Sequence, residues 1–200
     1  MKKVINHLKK GILMVTMLAT SLSFANESSF FTIKNDAEKT SLTLENVKKG
    51  NLLSIKDDNG IILYKELIQK PGVYSKGFDL TTLPNGKYIF ELDQDVEINI
   101  IPFSVNSNIV SFNKELEKTI FKPLVRVKDD MAYITRLTLD ETPLEIEVFY
   151  TDSNEYELVY SEKIENTQNI ARVLKLSDLK IGSYKMVFHT EDREFTKIIN

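Results

Sequence analysis

Leu80-Thr-Thr-Leu83-Pro-Asn-Gly86-Lys-Tyr88 decides the fold, because the chain carries the pattern twice. The second copy is Leu176-Ser-Asp-Leu179-Lys-Ile-Gly182-Ser-Tyr184, with the same internal spacing at an offset of 96 residues. A self-match at a fixed offset marks a duplicated structural unit. Upstream, Leu63-Tyr64-Lys65-Glu66 meets Val159-Tyr160-Ser161-Glu162 at the same offset. Leu42-Thr43-Leu44-Glu45-Asn46 meets Leu137-Thr138-Leu139-Asp140-Glu141 at an offset of 95. Ile33-Lys34-Asn35-Asp36 meets Val127-Lys128-Asp129-Asp130 at 94. Two single-residue insertions in turns reconcile the copies on this reading.

Each copy is written in strands. Residues 41–46, 52–56, 136–140 and 144–150 alternate apolar and polar, as the half-buried face of a sheet requires. Asp58-Asn59-Gly60 reads as a tight hairpin, since Asn and Gly accept positive φ. Pro84-Asn85-Gly86 is a second turn signal. No stretch sustains a helical period; the nearest candidate, 113–119, is short. About seven short strands per copy, with turns between them, predict an all-β chain of two tandem Ig-like/fibronectin-like antiparallel β-sandwiches. The expected division is a signal peptide over 1–25, a first module over 26–105, a linker over 106–119 and a second module over 120–200. Tyr88 and Tyr184, with Gly86 and Gly182, stand where such sandwiches place a corner tyrosine. That hydroxyl bonds back to the preceding loop, so these four residues are expected to be structural.

Lys2, Lys3, Lys9 and Lys10 precede a nearly apolar run over 12–24, and Ser23-Phe24-Ala25 offers small residues at the two positions a signal peptidase reads. The run is shorter than the roughly 20 apolar residues of a spanning helix, and no later segment approaches that length. The mature chain is expected to be exported: periplasmic, cell-surface or secreted. The chain has 26 Lys+Arg and 29 Asp+Glu. Removing four signal lysines leaves 22 against 29, a net charge of −7. That excess of acid argues against nucleic acid and against docking on anionic lipid. With no Cys, the fold stands on its cores alone.

Candidate chemistry is sparse. His189 is the only histidine after cleavage, beside Glu191 and Asp192 near a strand end. A serine triad would need it, and no Gly-x-Ser-x-Gly elbow is present. Zinc would need several His or Cys ligands. The acidic turns Asp57-Asp58-Asn59-Gly60, Asp93-Gln94-Asp95 and Asp152-Ser153-Asn154 offer oxygens for calcium but match no EF-hand loop. Asp129-Asp130 and Asp140-Glu141 are pairs that an acid-rich chain contains without function. The expectation is no catalytic residue, no cofactor, no metal and no small-molecule substrate. Tyr150, Tyr156 and Tyr160 cluster on one hairpin. Tyr156 and Tyr160 share strand parity, which makes the three a possible ligand surface.

The stretch Leu174-Lys-Leu-Ser-Asp-Leu-Lys-Ile-Gly-Ser-Tyr-Lys-Met-Val-Phe, followed by Glu194-Phe-Thr-Lys-Ile-Ile-Asn200, resembles the C-terminal sorting domain of type IX secretion cargo in Bacteroidetes. The chain is also similar to small secreted Bacteroidetes proteins with Ig-like modules. The resemblance implies a sorting role for the second sandwich. Against it, the same pattern stands at 78–92, where a C-terminal signal could not act. The leading expectation is therefore an exported, non-catalytic module with a protein or cell-surface partner. A type IX cargo or accessory protein is the alternative.

Overall fold

In the computed structural model, residues 31–36, 39–152, 155–177 and 182–200 are described, and the expected signal peptide lies outside them. Strands β1 (Phe31–Asp36), β2 (Lys39–Val47) and β5 (Gly72–Phe78) form one antiparallel sheet, ordered β1-β2-β5. Strands β3 (Leu52–Asp57), β4 (Ile62–Leu67), β6 (Gly86–Asp93) and β7 (Glu97–Asn106) form the second sheet, ordered β4-β3-β6-β7. The chain then repeats the plan. Strands β10 (Leu124–Lys128), β11 (Met131–Leu137) and β14 (Asn169–Lys175) make a sheet ordered β10-β11-β14. Strands β12 (Leu144–Thr151), β13 (Glu157–Ile164), β15 (Ser183–Thr190) and β16 (Arg193–Ile199) make its partner, ordered β13-β12-β15-β16. Three strands facing the same four in each copy, in one strand order, with two more added to the larger sheet of the first, make two Ig-like/fibronectin-like modules.

Alternation along the strands builds a separate core in each. Leu42 and Leu44 of β2 pack with Leu53, Ile55, Phe90 and Phe103 from the opposite sheet. Ala132 and Ile134 of β11 pack with Ile146, Val148, Met186 and Phe188. No residue belongs to both clusters. Interdigitated inner faces of this kind supply most of a sandwich's stability.

The register corrects the upstream half of the sequence alignment. Leu42 pairs with Ile33 and Lys76, while Ile134 pairs with Val125 and Arg172. Leu42 therefore corresponds to Ile134, an offset of 92 rather than 95. Ile55 corresponds to Val148, an offset of 93, since each opposes the core-facing tyrosine of its neighbour, Tyr64 or Tyr160. The extra length of the second copy sits mainly in the turn between β12 and β13. The matched Leu42 and Leu137 face opposite ways: Leu42 is buried and Leu137 is exposed. The strand expected over 136–140 is β11, and it ends at Leu137. From Thr138 the chain turns, with the Asp140 carboxylate accepting from the Thr138 and Thr142 hydroxyls at 3.2 and 2.9 Å.

The stretch 106–119, expected as a linker, completes the first sandwich instead. Strands β8 (Ile109–Phe112) and β9 (Lys118–Phe121) pair with successive parts of β7. Between them, Lys114–Leu116 forms one 3₁₀ turn whose N-cap Asn113 accepts from the Glu115 amide at 3.0 Å. The linker reading missed these strands because each is only four residues long, too short for a clear period.

Candidate functional site

The corner residues are placed first. Tyr88 Oη donates to the Pro84 carbonyl at 2.7 Å, and Tyr184 Oη donates to the Ser177 carbonyl at 2.7 Å. Both rings are buried in their cores. Gly182 is constrained by its neighbours: an added Cβ would meet the Tyr150 ring within 2.6 Å and the Thr151 carbonyl closer still. At Gly86 the nearest atom, Tyr88 Oη, is 3.4 Å away. Leu179 of the repeated motif lies outside the described residues.

The three tyrosines expected to share a surface do not. Tyr150 packs against the second core with its ring 5.0 Å from that of Tyr184. Tyr160 also packs on that core. Tyr156 is exposed, with the Lys185 ammonium 5.2 Å from its ring centre. A β-bulge separates them. Val148 opposes Tyr160, but Phe149 opposes Leu158, so Val159 is an extra residue. One extra residue inverts parity along a strand, and Tyr156 ends on the Phe149 side of the sheet. Module 1 carries the same bulge: Ile55 opposes Tyr64, Lys56 opposes Ile62, and Leu63 is extra. The bulged residues are both large, apolar and exposed, Leu63 at 46% and Val159 at 54%, on strands that end their sheets. Ile62 and Leu158 beside them are exposed as well.

A second shared feature escaped the sequence reading. In module 1 the Glu66 carboxylate of β4 accepts from Tyr64, from Tyr74 at 2.9 Å and from Lys76 at 2.7 Å. In module 2 the Glu162 carboxylate of β13 accepts from Tyr160 at 2.6 Å and from Arg172 Nε and Nη2 at 2.7–3.0 Å. Glu66 and Lys76, like Glu162 and Arg172, are ten residues apart, and each pair ties the outer strand of one sheet to the outer strand of the other. Lys76 and its companion tyrosines hold Glu66 down to about 2. Arg172 and Tyr160 lower Glu162. The legible signal was Tyr-x-Glu followed ten residues on by a cation, in both copies.

Charged groups also join the modules. Arg193 Nη2 of β16 donates to Glu91 of β6 at 2.6 Å, and Lys56 reaches the other carboxylate oxygen at 2.7 Å. Burial pushes the Glu91 carboxyl up, but hydrogen bonds from Arg193 and Lys56 outweigh it and leave the group below the usual carboxylate range. Lys118 of β9 pairs with Glu191, and with Asp140 at 3.3 Å. Burial likewise raises Asp140, and bonds from Thr142 and Lys118 bring it to about 2. The Arg136 side chain is 1% exposed. Its guanidinium donates to the Phe121 carbonyl, the Thr142 carbonyl and hydroxyl, and Glu191, at 3.0–3.3 Å. A buried guanidinium with its donors used is a positioning element.

His189 Nε2 lies 3.3 Å from Glu147 on the outer face of the second module, with Glu145 and Glu194 opposite it on the neighbouring strands. The Asp57 carboxylate accepts from the amides of Asn59 and Ile61, which is turn chemistry. Among the described residues no cluster of three metal-ligating side chains occurs. Among them, too, no helix is long and apolar enough to cross a membrane. The stretches 174–188 and 194–200 fall on β14, β15 and β16, with 178–181 outside the described residues.

No family model matches the chain, and no curated protein matches it. Among solved structures, one of the receptor tyrosine kinase Torso, determined for neurohormone perception, covers 84% of this chain and 71% of its own at 10% identity and a TM-score of 0.25. The human OSCAR ligand-binding domain covers 85% and 97% at 6% identity and 0.25. The chicken CNTN1 FN1–FN3 domains cover 84% and 66% at 13% identity and 0.21. Likeness at that level is too loose to bear on function, and the fold assignment rests on the strand order.

Proposed function

We propose that this chain is an exported, non-catalytic β-sandwich protein that holds a protein or cell-surface partner against its sheet edges. Support comes from the bulged outer strands. In both modules the strand that ends the larger sheet carries two adjacent exposed aliphatics, Ile62 with Leu63 and Leu158 with Val159. Free edges are ordinarily blunted with charge, proline or a bulge, and here the bulge itself turns an apolar residue outward rather than a charged one. An edge that keeps apolar side chains at the same position in two copies suits strand addition by a partner.

The chain has no Cys, so Leu63→Cys and Val159→Cys each create a unique thiol. In producing cells each thiol reacts with a maleimide several-fold more slowly than in the purified chain, while Asp95→Cys, in the exposed turn between β6 and β7, reacts equally in both. Equal rates at 63 and 159 sink the reading. Export predicts that the mature protein begins at Asn26, which N-terminal sequencing checks. The narrower type IX reading predicts trimming at the C-terminus, and an exported form that still ends at Asn200 overturns it.

A further inference from the structure

The outer faces of the two three-stranded sheets differ in character, although module 1 also exposes one apolar residue there, Val73 of β5. On β10-β11-β14 the face carries Leu124, Tyr133, Leu137 and Val173, all exposed, with Tyr133 at 41% and Val173 at 53%. By strand register, the corresponding positions on β1-β2-β5 are Thr32, Ser41, Glu45 and Gly77. One fold thus tolerates polar or small residues at every one of these places, and packing within the module does not call for the apolar set. In module 1, the Thr43 and Ser75 hydroxyls of this face bond each other at 3.0 Å.

Charge separates the faces in part: Lys34, opposite Ser41, stands where Arg126 does, but module 1 adds the acid Glu45. Arg126 flanks Tyr133, and Lys128 and Lys175 flank Met131, one row along. The strands place no acid on this face, although the whole chain has more acid than base. No described carboxylate pairs with any of these three cations; the nearest acids in sequence, Asp129 and Asp130, form the turn beyond Lys128. Leu124, Arg126, Tyr133 and Thr135 line a shallow depression on the face. Three strands about 4.8 Å apart span roughly 10 Å, the width of one helix or one extended segment. A lipid surface fits less well. The apolar side chains lie along a flat sheet rather than at a protruding tip that could insert between headgroups.

We propose that this face binds an acidic segment of a partner protein. The segment's apolar side chains cover Tyr133 and Val173, and its carboxylates meet Arg126, Lys128 and Lys175. This rests on the interaction reading but uses a surface separate from β4 and β13.

The test titrates the isotope-labelled chain by NMR with a synthetic peptide of about a dozen alternating glutamates and leucines, a length set by the extent of the face. Parallel arms use a lysine–leucine peptide and vesicles of phosphatidylglycerol and phosphatidylcholine. The acidic peptide should shift β10, β11 and β14 amides. Lys128→Glu with Lys175→Glu, and separately Tyr133→Ser, should each weaken it by about tenfold or more, as loss of central contacts does. Module 1 carries serine at the position equivalent to 133, so the sheet accepts that change. No shifts on this face, an equal response to the basic peptide, or preference for the vesicles overturns the proposal. So does self-association of the chain that Tyr133→Ser abolishes. Shifts confined to β4 and β13 also overturn it, while leaving the interaction reading standing.

Discussion

Arg193, the first residue of the last strand, donates to Glu91 in the middle of the first sandwich at 2.6 Å. The contact joins positions 102 residues apart and gives the tandem a fixed point that neither module contains alone. Lys118 and Arg136 add further ties at the same junction, to Glu191 and to the Phe121 carbonyl. A partner that meets both modules then meets one body.

Glu91→Ala is expected to loosen this body. It leaves Lys56 and Arg193 facing each other without their carboxylate. Removing one partner of a fully buried pair costs about 3–5 kcal/mol. Lys56 and Arg193 keep some contact with solvent, 20% and 25% exposed, so about 2–3 kcal/mol is expected here. Calorimetry should show one transition splitting into two, and small-angle scattering a larger radius. An unchanged single transition would show that the junction does not couple the modules.

The glycines of the repeat predict opposite outcomes from one substitution. Gly182→Ala drives a methyl into the Tyr150 ring and the Thr151 carbonyl. Overpacking of this kind costs about 1–3 kcal/mol. Gly86→Ala meets only the Tyr88 phenol, Oη at 3.4 Å and ring carbons at 3.6 Å, with φ outside the left-handed range, and should change stability by less than about 1 kcal/mol. Thermal melts of the two variants decide it; equal losses would place the constraint in the shared motif rather than in Tyr150.

This contrast marks how far the sequence could be read. The duplication, the all-β class and the corner tyrosines are local patterns, legible because spacing and turn chemistry express them directly. The register of the first two strands was not legible. Leu42-Thr-Leu and Leu137-Thr-Leu look alike, yet only pairing with Lys76 or Asn169 reveals which face each presents. Tyr156 and Tyr160 were misplaced for a related reason, since a bulge leaves no mark in composition. The Tyr–Glu–cation ties and the Arg193–Glu91 contact depend on separations of ten and 102 residues, and a single sequence does not rank such pairs above the many others that an acid-rich chain offers.

Acid should weaken the fold through the same carboxylates. Glu66 and Asp140 sit near 2, below their ordinary values of 4.5 and 3.8. A carboxyl lowered on folding adds stability that is complete above its unfolded value and is lost as pH falls toward its folded one. The loss should therefore run from about pH 4.5 down to about 2. Denaturant midpoints across that window check the slope, and Glu66→Gln should flatten it. A slope unchanged by Glu66→Gln would place the acid sensitivity elsewhere.

The tyrosines beside these carboxylates report the ties from the alkaline side. The Glu162 hydrogen bond raises the Tyr160 phenol above its ordinary value. Burial first, and then the Glu66 bond, raises Tyr74 far beyond the range of a free phenol. Ionising either phenol places a second negative charge against a carboxylate, which the fold resists. Glu162→Ala should bring Tyr160 back toward 10, visible as an earlier step in the ultraviolet titration of the tyrosines. Tyr74 should respond less to Glu66→Ala, because its largest cause is burial. Both glutamates are part-exposed, so each substitution should cost no more than about 1 kcal/mol, and the titration is read on a folded chain. If the tyrosine curve of Glu162→Ala overlays that of the parent, Tyr160 does not hold Glu162 in solution, and the edge of the second sandwich closes through Arg172 alone.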